Sequence, residues 1–256
     1  MKIHRNPFIA LIAIVFLALG SALAGAADTS PAGQIRVLVV TGGHDFEQAP
    51  FFKLFQDNSN ITFQAVEHPR AHAFLKPDAA QQYDVLVLYD MWQDIADEAK
   101  ADFVHLLKEG KGLLALHHCL ASYQNWNEYA RIIGGKYYLN KHTENGVEKP
   151  GSTYKHGVKF TVKIASRRHP ITQGLSDFEI EDETYGLFEV GADVTPLLTT
   201  DEPTSTKTIG WAHTYGKSRV AYLELGHDHL AYENPSYQRL LAQAIRWTAQ
   251  KPRSSP

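Results

Sequence analysis

The sequence predicts a doubly wound α/β fold with a mostly parallel sheet and a β-rich excursion in its second half. Three observations carry this. Between residues 35 and 133, short apolar runs alternate with amphipathic segments of helix length, as βαβ units do. Beyond residue 157 the hydrophobic period changes to two, as in a half-buried antiparallel strand. The 256 residues are 44% hydrophobic and 21% charged, an ordinary globular balance that excludes collagen-like and disordered chains.

The elements follow in order. Ile35 to Thr41 is an apolar, β-branched run, and Gly42-Gly43 breaks it. A helical segment from Ala49 to Asp57 leads to a second strand, Ile61 to Val66, and a third, Asp84 to Tyr89. Ile95 to Glu109 is an amphipathic helix with Ile95, Ala99, Phe103, Leu106 and Leu107 on one face, stopped by Gly110. Gly112 to Leu116 is the fourth strand, followed by a helix from Trp126 to Ile133 that ends at Gly134-Gly135. Lys141 to Gly157 is polar and reads as a surface excursion. Val158, Phe160, Val162 and Ile164 then alternate with polar residues. Further strands fall at Val194 to Leu198, Thr206 to Trp211 and Val220 to Leu225. A final helix runs from Pro235 to Ala249, with Pro235 suited to its first turn.

The N-terminus reads as a targeting segment. Lys2 and Arg5 precede an unbroken apolar run from Phe8 to Leu19, then small residues through Ala27. Ala22-Leu23-Ala24 and Ala24-Gly25-Ala26 both fit a signal-peptidase site. The run falls short of the ~20 residues needed to span a bilayer. The expected organisation is a signal peptide over 1–26, a linker over 27–34, one domain over 35–250 and a tail over 251–256. The expected location is periplasmic or secreted, without a stable membrane anchor.

Lys and Arg number 25 against 28 Asp and Glu, so there is no basic footprint for nucleic acid. A small molecule is the expected partner, and a homo-oligomer is compatible with the sequence. One cysteine excludes an intrachain disulfide and a cysteine-based zinc site. No P-loop, no G-x-G-x-x-G after the first strand and no H-E-x-x-H is present, so no nucleotide cofactor is expected.

Histidine is the outlier, at 13 residues. Ligands of open α/β sheets bind beyond the carboxyl ends of the strands. His44-Asp45, His117-His118, Trp211-Ala212-His213 and His227-Asp228-His229 all follow predicted strands. Adjacent residues at a strand end diverge, which favours His117 over His118. The H-x-H of His227 and His229 projects both rings to one face if extended. Glu181, Asp182, Glu183 and Tyr185 add carboxylates and a phenol from a less regular segment. His68, His72, His105, His142 and His156 read as surface or structural, and His169, before Pro170, as a turn residue. Cys119 lacks the small neighbours of a strained nucleophile turn and reads as a buried, inert thiol.

These segments are recognisable together. Val39-Val40-Thr41-Gly42-Gly43-His44-Asp45, Gly112 to His117, His169-Pro170-Ile171-Thr172-Gln173-Gly174-Leu175, Asp182-Glu183-Thr184-Tyr185 and Tyr215 to His227 resemble the trehalose-utilisation (ThuA-like) family, in the same order along nearly the whole chain. The resemblance implies a flavodoxin-like, class I glutamine amidotransferase-like fold. The amidotransferase cysteine position is occupied here by His117, so glutaminase chemistry lacks its nucleophile. The family is associated with sugar oxidoreductases that make 3-keto sugars. Its relatives suggest a histidine-lined, metal-binding pocket, with His44, His117, Glu183 and His227 as the carried-over residues.

The leading expectation is therefore an exported lyase, hydratase or isomerase acting on a 3-keto sugar or glycoside. His117, His118 and Glu183 are its catalytic candidates. His44, His117 and His227 are candidate ligands of a divalent ion such as zinc, manganese, iron or nickel. Asp45, Tyr185, Trp211, His213 and His229 are candidate substrate contacts. The competing expectations are a non-catalytic carbohydrate-binding accessory protein and a metal-dependent hydrolase of another small substrate.

Overall fold

A computed structural model describes residues 33–144 and 146–249. The signal-peptide and tail assignments lie outside the described residues. No helix among the described residues is long and apolar enough to cross a membrane.

The chain opens with β1 (Ile35–Gly42), α1 (Gln48–Gln56), β2 (Ile61–Glu67), β3 (Val85–Asp90), α2 (Asp97–Lys108), β4 (Gly112–Leu116) and α3 (Asn127–Ile133). Short pieces follow: β5 (Gly135–Lys136) and a hairpin of β6 (His142–Glu144) and β7 (Val147–Lys149). Then come β8 (Thr153–Ile164), β9 (Phe178–Gly186), β10 (Glu189–Val190), β11 (Thr195–Thr199), β12 (Thr208–Tyr215) and β13 (Ser218–Leu223). The short helix α4 (His229–Tyr232) and the long α5 (Pro235–Thr248) close the fold.

Nine strands form one sheet in the order β2-β1-β3-β4-β13-β12-β11-β8-β9. The first five in that order run parallel. From β13 onward each neighbour is antiparallel. The doubly wound fold and the β-rich second half are both present. The antiparallel character of the strand around residue 160 is as the alternation predicts.

Successive strand residues face opposite sides of the sheet. Val37, Val39, Val85 and Val87 pack with α1 and α5 on one side. Leu38, Val40, Leu86 and Leu88 pack with α2 and α3 on the other. Each such buried side chain contributes roughly 1.5–3 kcal/mol relative to exposure. Helix ends match their local chemistry. In α2, Asp97 and Glu98 lie in the first turn, and His105 and Lys108 in the last, complementing the helix dipole. Asn234 caps α5 by accepting from the Ser236 and Tyr237 N–H groups.

The segment read as a polar surface excursion also holds the β6–β7 hairpin and the first part of β8. Thr153, Tyr154 and Lys155 pair with β9 before the alternating core of β8 begins. These residues are exposed, so hydrophobic periodicity did not mark them as strand.

Candidate active site

The site sits at the carboxyl ends of the parallel strands. β4 runs straight into a 3-10 turn, His117–Ala121. His117 takes φ 49°, a left-handed conformation uncommon for a side chain of its size. This sharp strand-to-turn transition aims a completely buried imidazole at the sheet edge. Its Nδ1 donates to the Glu224 carbonyl oxygen at 2.6 Å. That bond fixes the tautomer and leaves Nε2 facing the site.

Three groups meet that Nε2. Tyr185 Oη lies at 2.9 Å, Glu183 Oε2 at 3.1 Å and His227 Nδ1 at 3.2 Å. His227 Nδ1 is also 3.4 Å from Glu183 Oε2. Donor atoms of His117, Glu183 and His227 all lie within 4.8 Å of one another, an arrangement suited to one divalent cation. The backbone bond behind His117 is the outer support such ligands normally have.

β9 and the loop after β13 supply the other two members. Glu183 and Tyr185 are two residues apart in a strand and so project to one side, where both reach His117. Asp182 projects to the other side. Its carboxylate accepts from the Gly226 and His227 N–H groups, at 2.7 and 3.0 Å, and ties the loop to the strand. Gly226 has φ 113°, and a Cβ there would run into the Tyr237 hydroxyl, so the turn that presents His227 requires glycine. Burial works to raise the Glu183 pKa, but hydrogen bonds from His117 and His227 prevail and hold it well below the usual carboxylate range. The same bond from Glu183 raises His227, against the opposing effect of its burial. Each of the two thus favours the charged form of the other.

A cavity of about 260 Å³ meets this cluster at Glu183 and Tyr185, with His44, His118 and His156 also among its walls. His44 reaches it from the Gly42-Gly43 turn. A Cβ at Gly43 would sit 2.6 Å from the Met91 carbonyl oxygen, so only glycine lets the turn pack there. His44 donates from Nδ1 to the Asp45 carbonyl oxygen at 2.6 Å and stacks on His118 at 4.6 Å. His118 is 3% exposed, and neither ring nitrogen makes a hydrogen bond of ordinary geometry. Burial above all pushes its pKa well below the usual value, so it is neutral.

The structure brings His117, Glu183, His227 and Tyr185 together. Other expectations need correction. His44 lies in the cavity wall and not among the three converging donors, where Glu183 takes its place. His118 also faces the cavity, because a 3-10 turn does not send successive side chains to opposite sides. Asp45 is exposed, and its contact with His44 is through its backbone.

Trp211 and His213 do not reach the site. β12 runs antiparallel to β13, so its carboxyl end lies at the opposite edge of the sheet. Trp211 is fully buried, donates from Nε1 to the Ile133 carbonyl oxygen and packs on Tyr222. His213 bonds the Ile132 carbonyl oxygen. His227 and His229 also separate. Asp228 caps α4 by accepting from the Leu230 N–H, so the H-x-H backbone turns and His229 pairs with Glu47 at 3.0 Å.

His156, read as a surface residue, belongs to the site. Its Nδ1 lies 3.0 Å from Glu183 Oε1 and its ring 4.7 Å from His227. The β8–β9 register shifts between Lys155 and Val158, so His156 and Gly157 together oppose Glu183. Bulges of this kind re-aim side chains beside functional sites. The available sequence signal was Gly157, a strand glycine next to a histidine.

Cys119 is fully buried, and burial pushes its thiol pKa well up. The strained position that a nucleophile would occupy belongs to His117, two residues earlier.

Solved structures share this architecture. A ThuA-like protein from Parabacteroides merdae superposes with a TM-score of 0.70 at 18% identity, covering 87% of this chain and 93% of its own. A ThuA-like protein from Bacteroides uniformis gives 0.64 at 18% identity, over 88% and 95%. A glutamine amidotransferase from Thermotoga maritima gives 0.50 at 14% identity, over 85% and 99%, which shows a common fold. The sequence matches none of the curated proteins. The family described as trehalose utilisation matches residues 36–248, almost the whole described fold. The chain is a member of the ThuA family, with a carbohydrate-related role.

Proposed function

We propose that this chain is an exported enzyme that removes a proton beside the ketone of an oxidised sugar, and that a divalent cation assists it. The observation that carries this reading is the convergence of His117 Nε2, Glu183 and His227 Nδ1, with Glu183 also in the wall of a small cavity. Family membership supports the carbohydrate class. The N-terminal apolar run supports export.

A ketone at C3 of a pyranose acidifies the C2 proton. A base takes that proton. The electron pair then forms the C1–C2 double bond, and the C1–oxygen bond breaks with the oxygen taking a proton. Water can afterwards add across the double bond, or the proton can return to give an isomer. A bound cation supplies Lewis-acid polarisation of a ketone oxygen. His117, Glu183 and His227 are the residues that would hold it.

The remaining steps belong to the chain. His44 has its Nδ1–H engaged by Asp45, which leaves a lone pair on Nε2 to accept the C2 proton. His118, neutral and unengaged in the cavity wall, offers a hydrogen bond to a sugar oxygen. Tyr185 Oη restrains His117 from the side.

The test is elemental mass spectrometry of the exported, untagged protein, with His117→Ala, Glu183→Gln and His227→Ala beside it. Turnover of C3-oxidised glucosides is assayed on the same samples. Near-stoichiometric metal in the parent, a tenfold or greater loss in the variants and a parallel loss of turnover support the reading. A parent that takes up no metal on reconstitution sinks the cation-assisted form. Turnover of unoxidised esters or amides in place of sugars would sink the substrate class.

A further inference from the structure

Among the described residues, the exposed large apolar side chains include Leu139, Val147, Tyr154 and Leu187, and of these Leu139 and Tyr154 line the cavity. Tyr154 is 62% exposed although it forms part of the cavity wall, beside Leu139. It stands directly across from Tyr185 in the β8–β9 ladder, so the two share one face. His156, two residues on, points the same way and contacts the Tyr154 ring edge at 5.2 Å. With Nδ1 of His156 directed at Glu183, its Nε2 is left for a ligand.

The cavity holds about 260 Å³. Pockets that enclose a whole drug-sized ligand run to roughly 300–1,000 Å³. One pyranose ring suits the space, and a second ring extends past the mouth. Tyr154 offers a largely exposed ring in the wall of that cavity.

We propose that Tyr154 and His156 form a leaving-group subsite, so that the ligand is a glycoside carrying a ring-sized group at C1. Tyr154 packs on the second ring. His156 Nε2 bonds the oxygen that joins the two rings. The proposal rests on the carbohydrate reading above and names the substrate class that site takes. The bulge at His156 and Gly157 is then the device that brings the subsite against Glu183.

Calorimetric titration of the full mature chain with methyl and phenyl glucosides oxidised at C3 tests it, in the parent, Tyr154→Ala, Tyr154→Phe and His156→Ala. The phenyl compound should bind about five- to tenfold tighter than the methyl compound, the worth of one aromatic contact. Tyr154→Ala should erase that preference and leave methyl-glucoside affinity within twofold, while Tyr154→Phe keeps it. His156→Ala should weaken both compounds alike, because both carry the bridging oxygen. Equal binding of the two compounds by the parent, or a preference that survives Tyr154→Ala, overturns the subsite and leaves the carbohydrate reading standing. No binding of either compound overturns the carbohydrate reading itself, and the subsite with it.

Discussion

His117 and Glu224 are joined through the backbone: the His117 Nδ1–H donates to the Glu224 carbonyl oxygen at 2.6 Å. The Glu224 side chain then works on the opposite side of the same cluster. Its Oε1 accepts from the Tyr185 N–H at 3.1 Å, and Tyr185 Oη in turn meets His117 Nε2. One residue thus steadies the imidazole from both faces.

Glu224 is fully buried, and that burial holds its carboxyl protonated well above the usual range. Glu224→Gln keeps the acceptor and the shape. It should leave metal content and turnover within about twofold. Glu224→Leu orphans the Tyr185 N–H and should cost about 1–3 kcal/mol in denaturant unfolding. Because the folded chain keeps a proton that the unfolded chain releases above about pH 4.5, Glu224 lowers stability as pH rises beyond that value. Glu224→Gln should therefore melt higher than the parent at pH 8 and no higher at pH 4.

Histidines give the acid limb its slope. Burial above all lowers the pKa values of His72, His118, His169 and His213 below 6.5. In each case the unfolded chain binds a proton that the folded chain refuses. The share of stability set by these four histidines is full above about pH 6.5 and falls as pH drops below it, against the opposite trend from Glu224. His227, raised by Glu183, works in the opposite sense and softens the slope. Melting temperatures from pH 7.5 to 5 should decline, and His213→Gln, far from the cavity, should flatten the decline. A His213→Gln variant whose melting temperature follows pH as the parent's does would refute the assignment.

Cys119 should be replaceable. Its thiol is buried and held protonated, so a thiol reagent should label the native chain at least a hundredfold more slowly than the denatured chain. Cys119→Ala should keep turnover within about threefold, with a stability loss of about 1–2 kcal/mol from the lost volume.

Trp211 separates packing from binding. Trp211→Phe removes an indole buried against Tyr222 and its bond to the Ile133 carbonyl oxygen. It should lower unfolding stability by about 1–3 kcal/mol and leave sugar affinity unchanged. A tenfold loss of affinity with intact stability would restore it to the site.

The βαβ half, the change to an antiparallel half and the placement of His117 and His227 beyond strand ends are all legible in the residue pattern. Apolar periodicity is strong where strands are buried, as from Val85 to Tyr89, and strand-end loops follow from it. Glu183 and Tyr185 stood out as carboxylate and phenol in an irregular segment, and the family motif singled out Glu183, since the acidic run in β9 hides its periodicity. Pairing and capping in the folded chain set the rest. Strand direction, which one sequence does not state, sent Trp211 and His213 to the far edge. The cap at Asp228 parted His229 from His227. The bulge opposite Glu183 drew His156 in from a segment too exposed to show a pattern. Each depends on which backbone groups a segment pairs with or caps, and apolar periodicity does not record those choices.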